Sequence, residues 1–144
     1  MAADASKVLV IVASLLLLVA CSEQGSVLLS KRYRVCIVDS PGLVYANHKE
    51  WIDYDEGVLT FNKEIVNVEI GGHPRFSHKA KRTGNDAVSG FKLLGVERSD
   101  NRDKVLWGYN RGDRQGPVLV MLSSPQLGDL EKILTQEKLL VDCN

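Results

Sequence analysis

Residues 65–70 read Ile-Val-Asn-Val-Glu-Ile, which puts Val66, Val68 and Ile70 on one side of an extended chain and Asn67 and Glu69 on the other. Side chains alternate sides along a strand, so this is a strand with one covered face. The same period recurs upstream in residues 32–39, where Tyr33, Val35 and Ile37 alternate with Arg34 and Cys36 until Ser40, Pro41 and Gly42 break the run. An apolar piece at 43–46 leads to 51–54, and Asp55, Glu56 and Gly57 followed by residues 58–62 read as a hairpin turned at Gly57. Downstream, 91–98 and 105–109 repeat the theme. Residues 118–122 are apolar throughout, as expected of a central strand covered on both faces.

The period changes near the end of the chain. Ser124 and Pro125 make a helix start, and Leu127, Leu130, Ile133 and Leu134 recur on one helical stripe. Gly128 costs about 1 kcal/mol inside such a helix, so packing of the stripe must hold it. Residues 139–141 return as a short edge strand. The expected fold is α+β, mostly β: a strongly bent antiparallel sheet or partly open barrel of about seven strands with one C-terminal helix over its open end or face. In element order alone this resembles a pleckstrin-homology-like fold.

Composition agrees with one folded core. The chain has 144 residues, 44% of them apolar and 25% charged, outside the disordered and cysteine-dense classes. Eighteen basic residues balance eighteen acidic ones, and aromatic residues make up 6%. A neutral chain with few aromatic rings has little to offer a nucleic acid, so no such partner is expected.

Residues 8–20 form an uninterrupted apolar run, preceded by Lys7 and followed at once by Cys21 and a polar stretch at 22–26. A membrane-crossing helix needs about 20 apolar residues; this run has the length of the apolar region of an export signal. Leu18, Val19, Ala20 and Cys21 resemble the lipobox of bacterial lipoproteins. That resemblance implies cleavage between Ala20 and Cys21, attachment of a diacylglycerol to the Cys21 thiol and acylation of the new amine. With Ser22 next in the chain, it further implies a lipid anchor in the outer membrane facing the periplasm. An ordinary cleaved signal with a chance cysteine and a retained signal anchor are the competing readings. The division expected is a signal peptide over 1–20, a lipidated cysteine and short tether over 21–30, and a single β-rich domain over 31–144. Each buried methylene contributes about 0.8 kcal/mol, so two or three acyl chains hold such a domain stably on its membrane.

With Cys21 assigned to lipid, Cys36 and Cys143 remain as one pair, and export makes them a disulfide candidate, two buried thiols being the alternative. A zinc site is disfavoured: no Cys-x-x-Cys pair occurs, and His73 and His78 lack helical i, i+4 spacing. No metal and no cofactor is expected.

Residues 71–85 carry Arg75, Lys79, Lys81 and Arg82 with no acid, making these cations an anion-binding candidate for phosphate or carboxylate groups such as lipid headgroups. The plainer reading is a solvated loop that balances the acidic stretch at 39–69. Asp53, Asp55 and Glu56 suggest calcium or a glycosidase pair, but Asp53 and Asp55 alternate along a strand and are expected on its solvent face. Arg111-Gly112-Asp113 resembles an integrin-binding tripeptide, a string that a turn produces by chance. His48, His73 and His78 are the only histidine bases, and no nucleophile elbow, phosphate loop or dinucleotide fingerprint is present, which disfavours an enzyme. The reading is a lipid-anchored envelope protein that binds rather than catalyses. It would act as an accessory subunit with an envelope protein partner, or as an anion-binding module at the membrane surface. Its rival is a periplasmic inhibitor or immunity-like protein that blocks a hydrolase or toxin.

Overall fold

The computed structural model describes residues 25–72, 90–109 and 117–143. The 65–70 alternation lies in β5 (Glu64–Gly71), with Val66, Val68 and Ile70 buried as the pattern requires. Eight further strands occur among the described residues: β1 (Ser26–Ser30), β2 (Val35–Val38), β3 (Leu43–Glu50), β4 (Tyr54–Phe61), β6 (Lys92–Arg98), β7 (Asp103–Tyr109), β8 (Val118–Ser124) and β9 (Leu140–Asp142). One short helix, α1 (Leu130–Leu134), precedes the last strand.

The strands form two sheets, one of six in the order β3-β4-β5-β8-β7-β6 and one of three in the order β1-β2-β9, with every pairing antiparallel. The larger sheet is not closed into a barrel. Strand β8 is buried at every position between β5 and β7, as its continuous apolar run demands. The inner faces pack on one another: Leu59, Val66, Val68, Val105 and Leu122 from the large sheet share a core with Leu29, Val35 and Ile37 from the small one, and with Leu130 and Leu134 of the helix. Each such side chain, fully buried, contributes about 1.5–3 kcal/mol.

Three local expectations are corrected. The β3–β4 hairpin turns at residues 51–53, where the Trp51 N–H donates to the Tyr54 carbonyl over 2.8 Å, and not at Gly57. Gly57 lies inside β4 opposite Val68, where a Cβ would collide with the ring and hydroxyl of Tyr45, so glycine here serves close approach. The two-residue turn signal belongs to Asn62 and Lys63, whose φ of 48° and 79° close the β4–β5 hairpin as a type I′ turn does. Residues 26–30, read as tether, form β1 and pair with β2 through Val27↔Ile37 and Leu28↔Cys36. The helix starts at Leu130, well after Ser124, because Gly128 takes a φ of +50° that a continuous right-handed helix cannot contain.

The apolar stripe is nevertheless used. Leu127, Leu130 and Leu134 are buried, the Leu127 N–H donates to Asp103 Oδ2 at 3.1 Å, and the Trp107 indole N–H donates to the Leu134 carbonyl at 3.0 Å. Arg98 pairs with Glu131 across the same junction. As expected, 139–141 return to an edge: β9 pairs with β2, and Cys143 reaches Cys36 in a disulfide with a Cα–Cα distance of 5.5 Å.

Register defines two ends. Leu43, Phe61 and Glu64 mark one end of the large sheet, and Asp39, whose N–H donates to the Gly25 carbonyl, brings the start of β1 to it. Tyr54, Gly71, Leu119, Gly108 and Lys92 form a row across the other, far end. Both edge strands of the large sheet carry a β-bulge, β3 between Ala46 and Lys49 and β6 between Leu93 and Gly95.

Candidate functional site

At the far end, the 51–53 turn is fastened to the β1–β2 connection by one arginine. Arg32 donates from Nη1 to the carbonyls of Trp51 at 2.8 Å and Ile52 at 3.3 Å, and from Nη2 to Asp55 Oδ1 at 2.5 Å. Its guanidinium also lies 4.8 Å from the centre of the Tyr33 ring, and the Tyr33 hydroxyl donates to the Asp53 carbonyl at 2.8 Å. Burial pushes the Tyr33 phenol above its usual range, with Arg32 pulling it down and Asp55 and Asp53 adding to the rise. On this fixed turn Ile52 is 93% exposed, and Trp51, stacked on Tyr54 with centroids 6.1 Å apart, is 49% exposed. A second aromatic pair, Phe91 and Tyr109 at 5.2 Å, belongs to the same end by register.

Beneath the turn lies Asp55, fully buried, contrary to the solvent-face expectation. Strand parity explains it: Asp55, Gly57, Leu59 and Phe61 share one face of β4, and that face is the core. Its carboxylate accepts from Arg32 and from the Ser30 hydroxyl, the latter at 2.5 Å to Oδ2, and Ser30 Oγ in turn accepts the Tyr33 N–H at 3.1 Å. Asp53 is exposed, and Glu56 points to the opposite face of the strand, so the three acids do not form one site.

The β3 bulge brings more chemistry to Asp55. Asn47 takes a φ of +55°, and the extra residue shifts strand parity so that Glu50, directly opposite Asp55, shares its face. His48 Nε2 then lies 3.7 Å from Asp55 Oδ2, and ligand atoms of His48, Glu50 and Asp55 all fall within 4.8 Å of one another. The Tyr45 ring is tilted against His48 with centroids 6.2 Å apart. Its hydroxyl is buried without a hydrogen-bond partner among the described residues, and the phenol is pushed up to about 12 by burial first and by Asp55 second.

The outer face of the same strands forms a shallow groove of about 650 Å³ lined by Lys49, Glu56, Asn67, Glu69, Lys104 and Ser123, among others. Glu56 and Glu69 sit directly opposite each other there, and Arg102 donates to Ser123 Oγ at 3.1 Å.

Of the sequence candidates, Cys36 and Cys143 are brought together. Cys21, the cations Arg75, Lys79, Lys81 and Arg82, the histidines His73 and His78, and the tripeptide Arg111–Asp113 lie outside the described residues. Gly71 and Lys92, close to the limits of residues 73–89, both belong to the far-end row. Ser30, Arg32 and Glu50 are not singled out by the sequence, and His48 only as one of its three histidine bases. Reading β4 unbroken through Gly57 would have placed Asp55 on the core face and called for a partner. No family model, curated protein or solved structure matches this chain.

Proposed function

We propose that this chain is a lipid-anchored protein of the bacterial envelope that acts by binding, and that its contact surface is the far end carrying Trp51 and Ile52. The observation behind this reading is an apolar turn that is exposed yet fixed, its carbonyls held by Arg32 and Tyr33. Ordering a side chain or loop on binding costs about 0.5–1.5 kcal/mol for each group immobilised, and a turn already fastened avoids much of that. Trp and Arg near the centre of an interface are the residue types that contribute most.

The placement suits an anchored molecule. With β1 beginning at Ser26, the tether shortens to residues 22–25, a reach of about 14 Å. The eight residues of β3, at ~3.3 Å each, separate the two ends of the sheet by ~26 Å. An anchor at Cys21 therefore leaves the Trp51 turn at the opposite end of the domain, where an envelope protein would meet it. The Cys36–Cys143 bridge supports an oxidising compartment.

The fixed turn also favours a second reading, an inhibitor whose turn enters the cleft of a soluble hydrolase or toxin. Photo-crosslinking from position 52 in intact cells, with position 63 at the other end as control, separates the two. An accessory subunit gives a crosslink at 52 alone, to a membrane-extracted protein; an inhibitor gives one to a soluble enzyme. Equal crosslinking at both positions, or a mature chain whose mass shows no lipid on Cys21, overturns the proposal.

A further inference from the structure

We propose that His48, Glu50 and Asp55 bind one divalent transition-metal ion of the zinc type, through one imidazole nitrogen and two carboxylate oxygens. This is independent of the contact surface proposed above. Three observations carry it. The donor set is already gathered: His48 Nε2 and Asp55 Oδ2 are 3.7 Å apart, and all three ligand atoms lie within 4.8 Å. Two ligands held ~2.1 Å from one tetrahedral ion stand ~3.4 Å from each other, so the exposed His48 and Glu50 need shift by only about an ångström toward the fixed Asp55.

Second, Asp55 is oriented as a ligating carboxylate is, with Arg32 on Oδ1 and the Ser30 hydroxyl on Oδ2, and with Oδ2 also turned to His48. Two carboxylates directly opposite on one face of a strand pair repel, and Arg32 offsets one of them, which leaves a net negative site. Third, the Tyr45 hydroxyl is buried beside this cluster with no partner among the described residues. A water retained on the ion would donate to that hydroxyl oxygen.

An imidazole among the donors favours zinc-like ions over magnesium or calcium, which take oxygen ligands. Asp55 also supports the fold, so the test leaves it intact. The mature full-length chain, purified in detergent, is titrated calorimetrically with Zn²⁺ alone, and in parallel with Ca²⁺. The expected result is one Zn²⁺ per chain, with affinity falling at least tenfold in His48→Ala and in Glu50→Gln, and unchanged in the double variant His73→Ala/His78→Ala. Circular dichroism establishes that the surface variants fold. Absence of stoichiometric binding, full binding in His48→Ala or Glu50→Gln, loss of binding in the His73/His78 variant, or Ca²⁺ bound as tightly as Zn²⁺ overturns the proposal.

Discussion

The two sheets of this molecule are held together in different ways. The six-stranded sheet is built largely from antiparallel pairs of consecutive strands, β3 with β4, β4 with β5, β6 with β7 and β7 with β8, joined by the longer-range pairing of β5 with β8. Strand pairs close in sequence form at small entropic cost. The three-stranded sheet joins β1 and β2 to β9, about a hundred residues later, through three residue pairs, and there the chain places its disulfide. Covalent reinforcement sits where pairing is least local. Between the sheets, Ser30 and Arg32 cross from the small one to reach Asp55 in the large one, so a polar fastening supplements the shared apolar core.

If that division is right, the largest effect belongs to the bridge. Replacing both Cys36 and Cys143 with Ser should lower stability by up to about 4.7 kcal/mol, the chain-entropy value for a loop of about a hundred residues. Hydrogen exchange should show β2 and β9 losing protection before β4 and β5; uniform loss across both sheets would mean that the disulfide supports the whole core. Next comes the fastening. Arg32→Ala leaves a buried carboxylate without its cation and should cost about 3 kcal/mol in denaturant unfolding, while Arg32→Lys, lacking the fork that spans three acceptors, recovers only part. Within the large sheet, Gly57→Ala should cost about 1–3 kcal/mol because the Tyr45 ring must move, and pairing it with Tyr45→Ala should recover part of that loss.

The smallest effects sharpen the contrast from outside. Tyr45 is raised from 10.0 to about 12, so over that interval the folded chain keeps a proton the unfolded chain has released. Stability from this source is complete below pH 10 and is lost as pH rises through 12. Tyr45→Phe should flatten that part of the alkaline unfolding profile and leave neutral stability nearly unchanged, since the hydroxyl has no partner to lose among the described residues. Ile52→Ser, on a nearly fully exposed side chain, should alter the melting temperature little and reveal itself only in crosslinking.

Much of the large sheet was legible because its strands carry their own signals. The alternation at 65–70 and the apolar run at 118–122 each fix a face without outside help, and both were read as β5 and β8 are found. The failures have local causes. Gly57 looks like a turn from its neighbours Asp55 and Glu56, and only the ring of Tyr45, twelve residues earlier, explains why it stays in a strand. Strand β1 has a single adjacent pair of Leu residues, and its identity comes from pairing with β2. The helix shortened because Gly128 turns left-handed, and Leu127, ahead of that break, is held by its N–H bond to Asp103, a contact between residues far apart in the chain.

The site was hidden for a related reason. Ser30, Arg32 and Asp55 come from separate strands and connections, and no short motif encodes their meeting. His48 and Glu50 are turned toward Asp55 by one inserted residue at Asn47, and shifting parity by one residue reverses every later side chain. The disulfide partners, by contrast, were found by counting, since the lipobox resemblance sets Cys21 aside and leaves a single pair.

The kinks in β3 and β6 have a consequence for the molecule in company. Both open margins of its larger sheet depart from a straight row of amide and carbonyl groups, and β3 adds the charges of Lys49 and Glu50. A neighbouring copy therefore finds no ready template to extend. Copies brought side by side at high concentration would stay separate instead of zipping edge to edge into ribbons.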